Sequence, residues 1–148
     1  MHETLKPFSA LAPAELYAIL QLRSEIFVVE QQCAYQDMDG RDPDCLHWTI
    51  WDGPRAVSYV RLLPAGLSFD EASIGRVVTA QAYRGQGLSR RLMQQAMQHL
   101  FGEWGAPSIR IGAQRYLEAF YGSLGFVPDS EPYLEDGIPH IEMLCRRP

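Results

Sequence analysis

The sequence predicts an α/β fold built on a mixed sheet, and three observations carry that expectation. Runs rich in β-branched and aromatic residues alternate with runs of three- and four-residue apolar spacing. A segment containing Gly85 and Gly87 lies between a run of each kind, and no repeat, linker or low-complexity tract interrupts the 148 residues. A chain of this length buries roughly 68–70% of its unfolded surface. Residues 1–148 are therefore expected to form one domain without disulfide or metal staples.

Taken in order, Pro13 and Glu15 suit the first turn of a helix, and Leu16, Ile19, Leu20, Ile26 and Phe27 recur on one face of it. The helix is expected to run from 13 to about 31. From Ala34 to Cys45 periodicity is lost among Asp, Gly and Pro, which marks a long loop of potential functional use. Leu46–Trp51 and Ala56–Leu63 read as strands, with Asp52-Gly53 between them as a hairpin signal. Ser73–Thr79 reads as a further strand, ending just before the glycines. Beyond them Leu92, Met93, Ala96, Met97, Leu100, Phe101 and Trp104 define an amphipathic helix that Gly105 and Pro107 stop. Ser108–Ala113 reads as a strand and Tyr116–Leu124 as a short helix closed by Gly125. A strand opening at Phe126-Val127 and a last strand at about Ile141–Cys145 complete the series.

Composition narrows the function. A formal net charge of -5 argues against a nucleic-acid binder, which presents a basic face to phosphates. The N-terminus lacks a basic start followed by an apolar core, and no apolar run approaches 18 residues, so neither secretion nor membrane spanning is expected. Cys33, Cys45 and Cys145 are an odd number at unrelated spacings, which fits a reducing cytoplasm. No metal site is expected. Asp37–Asp42 resembles a calcium loop with its glycine two positions early and Trp48 where the bidentate Glu belongs, and Cys33, Cys45 and His47 offer at best three zinc ligands. Two acidic stretches, 37–44 and 129–136, either flank a cleft that prefers a cationic substrate or are solvated loops.

The strand–glycine turn–helix unit carries the chemistry. Gly85 and Gly87 let backbone approach a ligand closely, and a helix start offers unpaired N–H groups at the positive end of its dipole. Arg84 and Arg90 are placed to add charge. A phosphate-bearing ligand fits this unit, but neither the Walker spacing nor the dinucleotide fingerprint is present. The residue-level alternative is a tight turn that binds nothing.

The segment Tyr83-Arg84-Gly85-Gln86-Gly87-Leu88-Ser89-Arg90 resembles the coenzyme A motif of the Gcn5-related N-acetyltransferases, Gln/Arg-x-x-Gly-x-Gly/Ala, with Ser89 at the last position. Gln114, Phe120, Tyr121, Gly125 and Phe126 are similar to that family's later segment, with Gln114 where Asn is commoner. Phe27–Gln31, Ile74–Val78 and Glu135–His140 are similar to its ElaA-like subgroup. The resemblance implies a mostly antiparallel central sheet flanked by helices, with a V-shaped split between two central parallel strands. It also implies an acetyl-CoA-dependent N-acetyltransferase acting on a primary amine of a small molecule or peptide. Pantetheine would lie along Val77, Val78 and Thr79, the pyrophosphate on Arg84, Gly85, Gln86, Gly87, Leu88, Ser89 and Arg90, with Gln114 nearby. Exposed sheet edges in such folds often pair, so a homodimer is compatible.

Tyr121 is the candidate acid for the departing thiolate, since a phenol protonates a thiolate within hydrogen-bond reach. His140 is the candidate base; Glu30, His47, Glu142 and a water relay are rivals. A non-catalytic acyl-CoA-binding module is the alternative function, distinguished by whether Tyr121 and a base act.

Overall fold

The computed structural model describes all residues, Met1–Pro148. The first helix, α1 (Pro13–Arg23), starts on Pro13 at its first turn, where a missing N–H costs nothing. The Glu15 carboxylate reaches back 2.8 Å to the Ala12 N–H. Helical winding continues through Ser24–Glu30 in a wider, π-type form and ends on Gln32 in the left-handed conformation. The expected span of 13 to about 31 is what forms.

Two sheets make up the rest. In the first, β1 (His2–Pro7), β2 (Leu46–Asp52), β3 (Arg55–Leu63) and β4 (Ser73–Thr79) lie side by side in that order, each antiparallel to the next. In the second, β8 (Ile138–Arg146) is central. On one side it pairs with β5 (Ser108–Gln114), and on the other with β6 (Val127–Pro128) and β7 (Tyr133–Glu135). The β2–β3 hairpin forms as expected, although its two-residue turn is Gly53-Pro54 rather than Asp52-Gly53, because Asp52 already pairs with Arg55. Gly53 takes the positive φ, 57°, that such a turn demands of its first residue.

Parallel pairing is confined to one point. The bridge Ala72↔Ile109, with the Arg110 N–H 3.0 Å from the Ala72 carbonyl, joins the strands' N-terminal ends. Past it β4 and β5 share no ladder, and the V-shaped split opens there.

Helices cover both faces. α1 and its π-type continuation set Ile19, Leu22 and Ile26 against Trp51, Tyr59 and Val78. On the other face α2 (Leu88–Gly102) sets Leu92, Met93, Ala96 and Leu100 against Val57, Val60, Leu62 and Ile74. Each of the larger side chains contributes about 1.5–3 kcal/mol by leaving water. A short helix, α3 (Glu118–Gly122), packs Tyr121 into the same core.

Three features depart from the sequence reading. Neither β1 nor β7 was expected, and three of the four aspartates of the 37–44 stretch face neither solvent nor a substrate cleft. Asp37 and Asp42 are buried and Asp39 half-buried, and all three point inward to Arg23, Arg61 and Arg76. Arg61 grips Asp39 with two nitrogens at 2.8 and 2.9 Å, and Arg23, wholly buried, holds Asp37 at 2.9 Å and Asp42 at 2.8 Å. Charges this far from water persist only when paired.

Candidate active site

Where β4 and β5 separate, a cleft of about 500 Å³ opens between them. Its β4 wall is irregular. Tyr59 opposes Val78 and Arg61 opposes Gly75, so Arg76 and Val77 together face Val60 alone, which is a β-bulge. Arg76 adopts φ 50° there, a conformation that costs a residue with a Cβ roughly 1–2 kcal/mol. Val77, Val78 and Thr79 line the cleft along an edge that has no ladder partner in β5.

A second recess, of about 190 Å³, adjoins the first and shares Thr79, Arg84, Ser89 and Phe120 with it. Tyr83, Gly85, Gly87, Leu88 and Arg90 complete it. Both glycines have positive φ, 81° and 73°, and nothing lies within 4 Å of where a Cβ would stand on either. The first amide of this stretch to find an acceptor is Arg91, at 3.0 Å from the Gly87 carbonyl. The six consecutive N–H groups from Gly85 to Arg90 donate to nothing in the chain. Six such donors at a helix start form a cradle for an anion.

The side chains around this cradle mostly brace it. Arg84 donates Nε to the Thr79 carbonyl at 3.1 Å and Nη2 to Glu30 at 2.8 Å, tying the cradle to β4 and to the end of the first helix. The Ser89 hydroxyl meets Thr79 Oγ1 at 2.7 Å, and Thr79 meets Ser58 at 2.8 Å. Arg90 lies over the Phe120 ring at 5.2 Å and donates to Ser123 Oγ. Gln86 is exposed and lines neither space. Gln114, at the end of β5, exchanges amide hydrogen bonds of 3.2 and 3.4 Å with Gln31 across the cleft.

Tyr121 and His140 both line the main cleft. The Tyr121 ring is buried and packed edge-on between Phe120 and Phe126, whereas its hydroxyl makes no hydrogen bond within the chain. Burial pushes this phenol well above the ordinary range, so it stays protonated at any working pH. His140 sits stacked on Tyr133, with Nδ1 2.7 Å from the Ile138 carbonyl. A carbonyl only accepts, so Nδ1 carries the proton and Nε2, 3.5 Å from a Glu135 oxygen, is the basic atom.

The rivals for the base separate clearly. Glu30 lines the cleft but is engaged by Arg84. His47 is buried outside it, with Tyr59 Oη at 2.6 Å and the Asp42 carbonyl at 3.0 Å occupying both nitrogens, and burial lowers its pKa. Glu142 lies outside as well, paired with Arg110 at 3.1 Å. Sequence reasoning did not pick out Tyr35 and Arg76 as cleft-lining residues. No sequence signal marks a left-handed arginine.

The comparisons agree with this geometry. Residues 16–147 match the family model described as an acetyltransferase (GNAT) domain. Protein ElaA of Escherichia coli strain K12 is 42% identical over 137 residues, 91% of this chain and 90% of that protein. The crystal structure of Escherichia coli ElaA superposes with a TM-score of 0.90 at 39% identity, covering 99% of this chain and all of that one. An acyl-CoA N-acyltransferase from Pseudomonas aeruginosa superposes with a TM-score of 0.91 at 43% identity, covering 98% and 99% of the two chains. The chain therefore belongs to the GNAT acetyltransferase family, in its ElaA-like branch.

Proposed function

We propose that the protein is an acetyl-CoA-dependent N-acetyltransferase acting on a primary amine of a small molecule or peptide. One observation carries this reading: the row of six unpartnered amides, Gly85 to Arg90, opens beside a split whose walls are the free β4 edge and the unpartnered Tyr121 hydroxyl. The donor, acetyl-CoA, supplies a thioester carbon for direct attack by the amine.

The chain's own groups have separable tasks. The Gly85–Arg90 amides hold the pyrophosphate, and the β4 edge at Val77–Thr79 aligns the pantetheine and offers backbone N–H to the thioester oxygen as negative charge develops there. Tyr121 gives its phenolic proton to the sulfur as the C–S bond breaks. His140 Nε2 takes the proton that the amine must lose, directly or through water. A non-catalytic acyl-CoA-binding module would share the cradle, but it has no use for an unpartnered tyrosine hydroxyl at the cleft wall. The same reading takes 1–148 as one catalytic domain in the cytoplasm, able to pair as a homodimer. Incubation with acetyl-CoA and a panel of amines, following released thiol and acceptor mass, tests it. CoA binding with no thiol release across the panel would favour the module.

A further inference from the structure

The β4 bulge is held from outside the cleft. Arg76, the left-handed residue of the bulge, places Nε 2.8 Å from Asp37 Oδ1, Nη2 2.8 Å from the Asp37 carbonyl, and its guanidinium over the Tyr35 ring at 5.7 Å. Asp37 does not line the cleft, whereas Arg76 and Tyr35 do. The other Asp37 oxygen is held at 2.9 Å by Arg23, which is wholly buried and also binds Asp42. Asp42 in turn meets Arg61 of β3, which opposes Gly75 of β4 immediately before the bulge. The 34–45 loop is thus clamped from α1, from β3 and from the bulge itself. A left-handed residue that carries a side chain persists only where its surroundings over-determine it, and here the fixing carboxylate, Asp37, lies outside the cleft.

We propose that Asp37 is a positioning residue: through Arg76 it fixes the shape of the β4 bulge, and with it the affinity of the site for the pantetheine arm. The proposal rests on the acyl-CoA reading above. Three carboxylates are paired with Arg23, Arg61 and Arg76, and with Arg41 at the rim, so removing the Asp37 charge leaves Arg76 without its main anchor and Arg23 half-paired. The cradle at Gly85–Arg90 is braced separately, by Arg84 to Thr79 and Glu30 and by Ser89 to Thr79. It should therefore not feel the change.

Calorimetric titration of wild type, Asp37→Asn and Arg76→Gly with two ligands tests this, with melting curves to show that each variant is folded at the assay temperature. The ligands are CoA and 3′-phospho-ADP, which is CoA without its pantetheine arm. Glycine accepts φ 50° without strain, so Arg76→Gly removes the anchor while leaving the backbone free to adopt the bulge, and it carries the test if Asp37→Asn fails to fold. The expected result is a tenfold or greater loss of CoA affinity in the variants, with 3′-phospho-ADP affinity within twofold of wild type. Equal losses for both ligands, or no loss for either, overturn the proposal. Wild type that binds neither ligand sinks the acyl-CoA reading itself, a result distinct from the other two.

Discussion

At the scale of single residues, the buried charges set the protein's sensitivity to pH. Burial alone would raise the Asp39 and Asp42 pKa values, but the Arg61 and Arg23 guanidiniums outweigh it and hold both carboxyls below the usual aspartate range. Such a group stabilises the fold fully above its unfolded pKa, near 4, and the contribution drains away as pH falls toward the depressed folded value. Melting temperature should therefore decline steeply below about pH 4, and the decline should be shallower in Asp39→Asn; parallel curves for variant and wild type would assign the acid transition to other groups. At neutral pH, Asp42→Ala leaves two guanidiniums short of a partner and should cost about 3–5 kcal/mol in a denaturant titration. The aspartates of 37–44 are conspicuous in the sequence, yet nothing in it pairs them with Arg23, Arg61 and Arg76. These partners come from three different elements, and only the folded topology brings them together.

Among the elements, the cradle is where sequence and structure coincide most closely. Gly85 and Gly87 were legible because a β-type run precedes them and apolar residues at helical spacing follow, and both adopt the positive φ that only glycine takes without cost. Gly87→Val would force a β-branched residue into φ 73° and set its side chain in the open space proposed for the pyrophosphate. CoA affinity should fall at least tenfold in a protein whose circular dichroism is unchanged; retained affinity would place the pyrophosphate elsewhere. Strands without alternation were the unreadable ones. β1, His-Glu-Thr-Leu-Lys-Pro, has one large apolar residue, so its six-residue pairing to β2 depends on backbone hydrogen bonds that no side-chain pattern reports. The β7–β8 hairpin did leave a signal, Asp136-Gly137, both with positive φ, and it begins β8 three residues before the expected Ile141. The amphipathic pattern of α2 was read correctly, and its fully buried Leu92 should cost about 2–5 kcal/mol when truncated to Ala.

For the molecule as a whole, the candidate site is formed by two sheets that touch at Ala72 and Ile109 and then part. That split was legible through resemblance to a family and not through periodicity, because no local pattern encodes where two strands stop pairing. The split brings together groups from distant parts of the chain: the free β4 edge, the amides at the start of α2, Tyr121 on α3 and His140 on β8. Among them Tyr121 is the group whose purpose is hardest to explain as packing, since its ring alone fills the core and its hydroxyl is left without a partner. The most direct measurement is therefore thiol release from acetyl-CoA with an accepted amine at saturation, compared between wild type and Tyr121→Phe, with CoA affinity determined for both. Loss of a general acid is worth about 10²- to 10⁴-fold, and water can replace part of it, so kcat should fall roughly tenfold to a thousandfold while CoA affinity holds. Unchanged turnover in the variant, with chemistry shown to be rate-limiting, would contradict the account and leave Tyr121 as a packing residue.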